Sequence, residues 1–137
     1  MKNISHKLLV FKTILFSLIF FSACNLESQE EQIGEEYAIY QKVSPAVFQK
    51  KMKTDESNFL LVDVRTESEY NAGSIENSVN QDLLNGDFEN AMKEWNLETP
   101  VYVYCQKGGR SSKAAEMLQQ KGFKKIIELK GGFSAWK

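Results

Sequence analysis

A cysteine, two adjacent glycines and two cations fall together in the run Cys105-Gln106-Lys107-Gly108-Gly109-Arg110. A β-rich stretch, residues 101–104, precedes it, and a helix-forming stretch, residues 111–121, follows. A cysteine at a strand-to-helix junction meets the free N–H groups and partial positive charge of the helix start. Gly108 and Gly109 allow the backbone to turn those N–H groups inward as an anion-binding nest. Lys107 and Arg110 add full positive charge. Such surroundings favour the thiolate, which is the nucleophilic form of cysteine. The run therefore suits a negative sulfur or a small bound anion. The alternative, a buried cysteine with a packing role only, does not account for Gly-Gly-Arg at the helix start.

What the sequence lacks narrows the chemistry further. The single histidine is His6, near the N-terminus, and the two cysteines are Cys24 and Cys105. Residues 38–137 thus hold no Cys-His or Ser-His pair and no histidine metal ligand. No cofactor is implied. The full chain carries 17 basic and 18 acidic residues. Residues 1–23 contain Lys2, Lys7 and Lys12 and no acid, which leaves 14 basic against 18 acidic residues beyond them. A net charge of −4 on that remainder gives no electrostatic footprint for nucleic acid.

The elements that must position Cys105 are readable from pattern. Residues 37–43 form a short edge-strand candidate. Ser44 and Pro45 open a helix with Val47, Phe48 and Met52 on its apolar face. Phe59-Leu60-Leu61-Val62-Asp63-Val64 is a continuous apolar run, the signature of a strand covered on both sides. Thr66 through Glu69 is a capping box for a short helix that Gly73 ends. Residues 78–80 form a further short strand, and Phe88, Met92 and Trp95 predict a helix over 88–95. Residues 111–121 turn Ala114, Ala115 and Leu118 inward, with Gly122 closing the helix. Residues 125–129 are a last strand, Gly131-Gly132 a turn, and residues 133–136 a terminal helical turn. Strands alternating with helices predict an α/β fold, with a mostly parallel central sheet flanked by helices on both faces.

The N-terminal part reads as an address. Residues 1–7 are short and basic, residues 8–21 strongly apolar, and Ser22 and Ala23 small. This is the three-part pattern of a signal peptide, over residues 1–23. Phe21-Ser22-Ala23-Cys24 resembles a bacterial lipoprotein box, which implies lipidation of Cys24. Residues 24–37 are polar and acidic, too poor in apolar groups to pack, and read as a tether. Residues 38–137 then form the globular domain. The expected location is exported, lipid-anchored on the periplasmic or cell-surface side of a bacterial membrane. Each buried lipid CH₂ would contribute about 0.8 kcal/mol to that anchoring.

Four blocks of the domain resemble the rhodanese-like sulfurtransferases, in the family's order. They are Leu61-Val62-Asp63-Val64-Arg65 with Glu69-Tyr70, then Gly73-Ser74-Ile75 through Asn80, then Tyr104-Cys105 through Arg110-Ser111, and Leu129-Lys130-Gly131-Gly132-Phe133-Ser134-Ala135-Trp136. Ser74 departs from the family, where histidine is usual. The resemblance implies a small three-layer rhodanese-like fold and a monomer that works without a cofactor. It implies that Cys105 takes the outer sulfur of a donor such as thiosulfate as a persulfide, then passes it to an external thiol, or to cyanide in an assay. Gln106, Lys107, Gly108, Gly109 and Arg110 would cradle that persulfide, and Asp63 and Arg65 would brace the loop. Two rivals stand beside this reading. A cysteine phosphatase uses a similar loop, but one residue longer between Cys and Arg, and so a wider cradle. A non-enzymatic persulfide carrier or interaction module would use the same cysteine without turnover.

Overall fold

The computed structural model describes residues 38–55 and 58–136. The signal segment over residues 1–23, Cys24 and the tether over residues 24–37 lie outside the described residues.

The five strands are β1 (Ile39–Val43), β2 (Leu60–Asp63), β3 (Val79–Asn80), β4 (Val101–Tyr104) and β5 (Lys125–Leu129). They form one sheet in the order β1-β5-β4-β2-β3. Every pairing is parallel. The intervening helices are α1 (Pro45–Thr54), α2 (Glu67–Asn71), α3 (Asp87–Ala91) and α4 (Gly109–Lys121), and a 3₁₀ turn spans Phe133–Ala135. Parallel pairing requires crossovers, and the helices supply them.

Alternation along the strands builds two cores. Val101 and Val103 of β4 face one side, with Val62, Ala114, Ala115, Leu118 and Phe88 packed there beneath α3 and α4. Tyr102 and Tyr104 face the other side, with Phe48 of α1, Ile127, Leu129 and Trp136. Cys105 belongs to the first core and is 1% exposed. The central strand is buried along its whole length, as expected of a sheet covered on both faces.

Two local expectations need adjustment. The helix expected over 88–95 stops at Ala91. The amides of Lys93 and Glu94 bond three residues back, to Asn90 and Ala91, so the chain tightens out of the α-helix. Trp95 still packs on Phe88, with centroids 5.8 Å apart, so the apolar spacing reflected packing rather than helix length. Ser44 does occupy the N-cap of α1, but its side chain makes no capping hydrogen bond. By contrast, the capping box at Thr66 and Glu69 is fully formed.

Candidate active site

Strand β4 ends at Tyr104 and α4 starts at Gly109, so Cys105 opens the loop between them at the carboxyl edge of the sheet. Ligands of open parallel α/β sheets bind at that edge. Gly108 caps α4 with φ of 109°, a conformation that L side chains rarely adopt. This turn aims the Gly108 N–H at Cys105 Sγ, at 3.1 Å. The Ser111 hydroxyl lies 3.6 Å from the same sulfur. Burial raises the pKa of the Cys105 thiol. Hydrogen bonds from the Ser111 side chain and from the amides of Ser111, Gly108 and Lys107 outweigh it, and the net shift is downward.

The chain's C-terminal segment clamps this loop from outside. The Phe133 amide donates to Cys105 O at 2.8 Å, and the Ser134 amide to Gln106 O at 3.1 Å. Gln106 Nε2 donates to Ser134 Oγ at 2.9 Å. The clamp depends on Gly132, because a Cβ there would stand 2.2 Å from Cys105 O.

Asp63 and Arg65 form a buried pair under the loop. Arg65 Nη2 donates to Asp63 Oδ2 at 2.7 Å and to Gly73 O at 2.6 Å. Arg65 Nη1 donates to Gln106 Oε1 at 3.0 Å, tying the pair to the loop. The guanidinium also lies 4.3 Å from the centroid of Phe133, a cation–π distance. Asn80 Nδ2 donates to the carbonyls of Asp63 and Arg65, which holds the end of β2 in place. The segment over residues 73–80 is pinned by Tyr104, whose hydroxyl receives the Ile75 amide at 3.0 Å. Ser74 itself is exposed.

The two cations of the loop are placed differently. Lys107 is exposed. Arg110 turns to Glu69 of α2 in a bidentate pair, Nη1–Oε2 at 2.7 Å and Nη2–Oε1 at 2.8 Å. The Arg110 partner holds the Glu69 carboxyl down at about 2. Arg110, expected to add positive charge beside Cys105 and to cradle a persulfide, is thus also an ion-pair partner. Its charge is matched by Glu69, and its geometry fastens the start of α4 to α2. Glu69 was legible as a capping residue and as part of a family block, but not as the partner of Arg110. Gln106 lies on the loop, whereas Gly109 is the first residue of α4 and has no positive φ. A depression of about 310 Å³ opens beside it, lined by Arg65, Glu69, Gly73, Gln106, Phe133 and Ser134 among others.

Glu128 carried no signal in the sequence. It lies on β5 at 0% exposure. Its Oε1 accepts from Ser111 Oγ at 2.8 Å and Ser112 Oγ at 2.9 Å, and lies 3.0 Å from Lys42 Nζ. The Tyr40 hydroxyl donates to Oε2. A strand periodicity argument could mark Glu128 as inward-facing, but not name its partners.

Residues 44–137 match the rhodanese-like domain family. The chain belongs to the rhodanese-like family. Bacillus subtilis (strain 168) YqhL is 31% identical over 100 residues, covering 73% of this chain and 78% of that protein. Bacillus subtilis YrkF, provisionally named a sulfur carrier protein, is 33% identical over 106 residues, 77% of this chain and 56% of YrkF. The tRNA uridine(34) hydroxylase of Pelagibacter ubique (strain HTCC1062) is 35% identical over 79 residues, 57% of this chain but 26% of the hydroxylase. Among solved structures, a rhodanese-related protein from Thermoplasma volcanium superposes with a TM-score of 0.58 at 28% identity, covering 71% of this chain and 90% of that one. The rhodanese-like fold is thus shared with that solved structure.

Proposed function

We propose that this rhodanese-like domain is a sulfurtransferase working through a Cys105 persulfide. The observation that carries the reading is the Gly108 N–H on Cys105 Sγ at 3.1 Å, inside a loop that lowers the thiol pKa without any histidine. The thiolate attacks the outer sulfur of thiosulfate or a similar donor. The Sγ–S bond forms, the S–S bond of the donor breaks, and sulfite leaves with the bonding electrons. An external thiol then takes the sulfur, returning Cys105 as thiolate. The N–H groups at the loop and helix start stabilise the anion at each stage, in the manner of an oxyanion hole. Arg110 is engaged by Glu69, and the Cys-to-Arg gap is four residues, Gln106 to Gly109. Both features weigh against clamping a phosphoryl group.

Intact mass after incubation with thiosulfate tests the reading. A gain of one sulfur atom is expected, absent from Cys105→Ser. No adduct with thiosulfate or any other persulfide donor sinks it. A carrier reading finds support in the depth of Cys105 and the likeness to YrkF. Stoichiometric loading without turnover by any thiol acceptor would favour it.

The same proposal places the domain outside the cytoplasm, anchored by lipid on Cys24. Support comes from the basic, apolar and small-residue order of residues 1–23 and from Phe21-Ser22-Ala23-Cys24. The reading requires membrane-fraction protein to lose its lipid mass in Cys24→Ala.

A further inference from the structure

Cys105 is 1% exposed, and its proton must go somewhere when the thiolate forms. Histidine, the usual acceptor, is missing from residues 38–137. The Gly108 amide on the sulfur is a donor and cannot take a proton. The one neighbour of Sγ with lone pairs to offer, among the hydrogen bonds of the described residues, is Ser111 Oγ.

Ser111 has a single hydroxyl proton and three neighbours that could draw it. They are Gly108 O at 3.1 Å, Glu128 Oε1 at 2.8 Å and Cys105 Sγ at 3.6 Å. The Glu128 oxygen is the nearest of the three. With its proton committed to Glu128, Ser111 turns a lone pair toward the thiol. The S–H then donates to Ser111, and an unbroken hydrogen-bonded path runs from Cys105 to a fully buried carboxylate.

We propose that Glu128 is the internal proton acceptor for Cys105, acting through Ser111. The thiol proton passes to Ser111 Oγ while the Ser111 proton passes to Glu128 Oε1. One S–H bond and one O–H bond break, two O–H bonds form, and no other reactant is needed. The thiol–carboxylate and thiolate–carboxylic acid forms carry the same net charge. Their exchange adds no charge to the interior, which is the costly part of ionising a buried group. After transfer Ser111 donates to the sulfur, and protonated Glu128 donates to Ser111, so every polar atom keeps a partner.

Other groups face Glu128 as well. Lys42 and Tyr40 of β1 approach from the neighbouring strand, and Ser112 from α4. Glu116 of α4 acts on Tyr40 from further off. Tyr40 is 37% exposed, and its hydroxyl, which can accept as well as donate, links the buried carboxylate toward solvent. Glu128 touches no substrate, and its role is to position Ser111 and hold the proton.

The inference rests on reading Cys105 as the reacting thiol, and its test uses no sulfur donor. The rate of alkylation by iodoacetamide is measured across pH for the full chain. A pair sharing one proton titrates in two coupled steps. The wild-type rate is therefore expected to rise in two steps with a plateau between. Glu128→Gln should rise in one step, with its midpoint below the upper wild-type step, since the competing carboxylate is gone. Ser111→Thr keeps the hydroxyl and should keep two steps, whereas Ser111→Ala should lose the plateau. Two unchanged steps in Glu128→Gln would overturn the proposal. So would a single step in the wild type. If Glu128→Gln fails to fold, the Glu128 carboxyl ¹³C shift of the wild type decides. Two inflections are expected, the upper one lost in Cys105→Ser, and a single inflection refutes the coupling. A failed relay beside a normal persulfide mass leaves sulfur transfer standing, and the converse result separates the two in the same way.

Discussion

Replacing Gly132 with alanine places a methyl group against the backbone of the Cys105 loop. The new Cβ would lie 2.2 Å from Cys105 O and 2.7 Å from Gln106 C and O. Real Cβ atoms essentially never come within 3.0 Å of such neighbours, so the segments must part by about 0.8 Å. The Phe133 amide sits 2.8 Å from Cys105 O. The same displacement would stretch that contact to about 3.6 Å, beyond hydrogen-bonding range. The Ser134 bond to Gln106 O fails with it. Two backbone bonds at about 1 kcal/mol each are lost. Gly132 also sits at φ 62° and ψ −158°, a region essentially restricted to glycine and costing about 1–3 kcal/mol otherwise. The sum is about 3–5 kcal/mol. Urea unfolding of the full chain, followed by tryptophan fluorescence, measures it. Gly109→Ala is the control, because nothing lies within 4 Å of a Cβ there and its φ is ordinary. As the first residue of α4 it should change stability by less than about 1 kcal/mol, toward greater stability. The alkylation rate of Cys105 should change in Gly132→Ala and stay near wild type in Gly109→Ala. A Gly132→Ala protein within about 1 kcal/mol of wild type would refute the close approach and the clamp built on it.

Three further outcomes follow from the site. Arg65→Ala leaves the Asp63 carboxylate, 0% exposed, without its ionic partner. A loss of about 3–5 kcal/mol in chemical denaturation is expected, and a loss below 1 kcal/mol would mean that Asp63 is solvated. The Glu69 carboxyl is held down to about 2 by Arg110, below its ordinary 4.5. A depressed folded pKa contributes stability that is fully present above the unfolded value and lost as pH falls from about 4.5 toward 2. Both partners are partly exposed, so the pair is worth about 1 kcal/mol after screening. Glu69→Gln should flatten the stability-against-pH curve in that window, and identical curves would show the pair contributes nothing. The depressed Cys105 pKa predicts a larger thiolate share at pH 7 than in a free cysteine peptide, read from thiolate absorbance near the ultraviolet edge, and a correspondingly faster alkylation than in any variant that raises the pKa. Replacing Ser111 with alanine should slow it, since Ser111 is the largest of the groups that lower the pKa; an equal rate in the two proteins would exclude that role.

The sequence alone determined the strand-helix alternation, because period-two and apolar-run patterns are local and helical crossovers between strands lead to a parallel sheet. It also marked Cys105, because a strand end, two glycines and a helix start are consecutive in the chain. The capping box at Thr66 and Glu69 was legible for the same reason: its partners are three residues apart. Where partners were distant, sequence reading stopped short. Arg110 and Glu69 are 41 positions apart, so their bidentate pairing was not visible in the loop spacing. Glu128 reaches Ser111 across 17 positions and Tyr40 across 88, through adjacency of β5 with β1 and α4. The need for glycine at Gly132 was likewise decided by a carbonyl 27 positions earlier, at Cys105. Local spacing marks the elements and the candidate residue Cys105. Which groups surround that residue depends on strand order, since β5 lies between β1 and β4 and brings three distant segments under one loop.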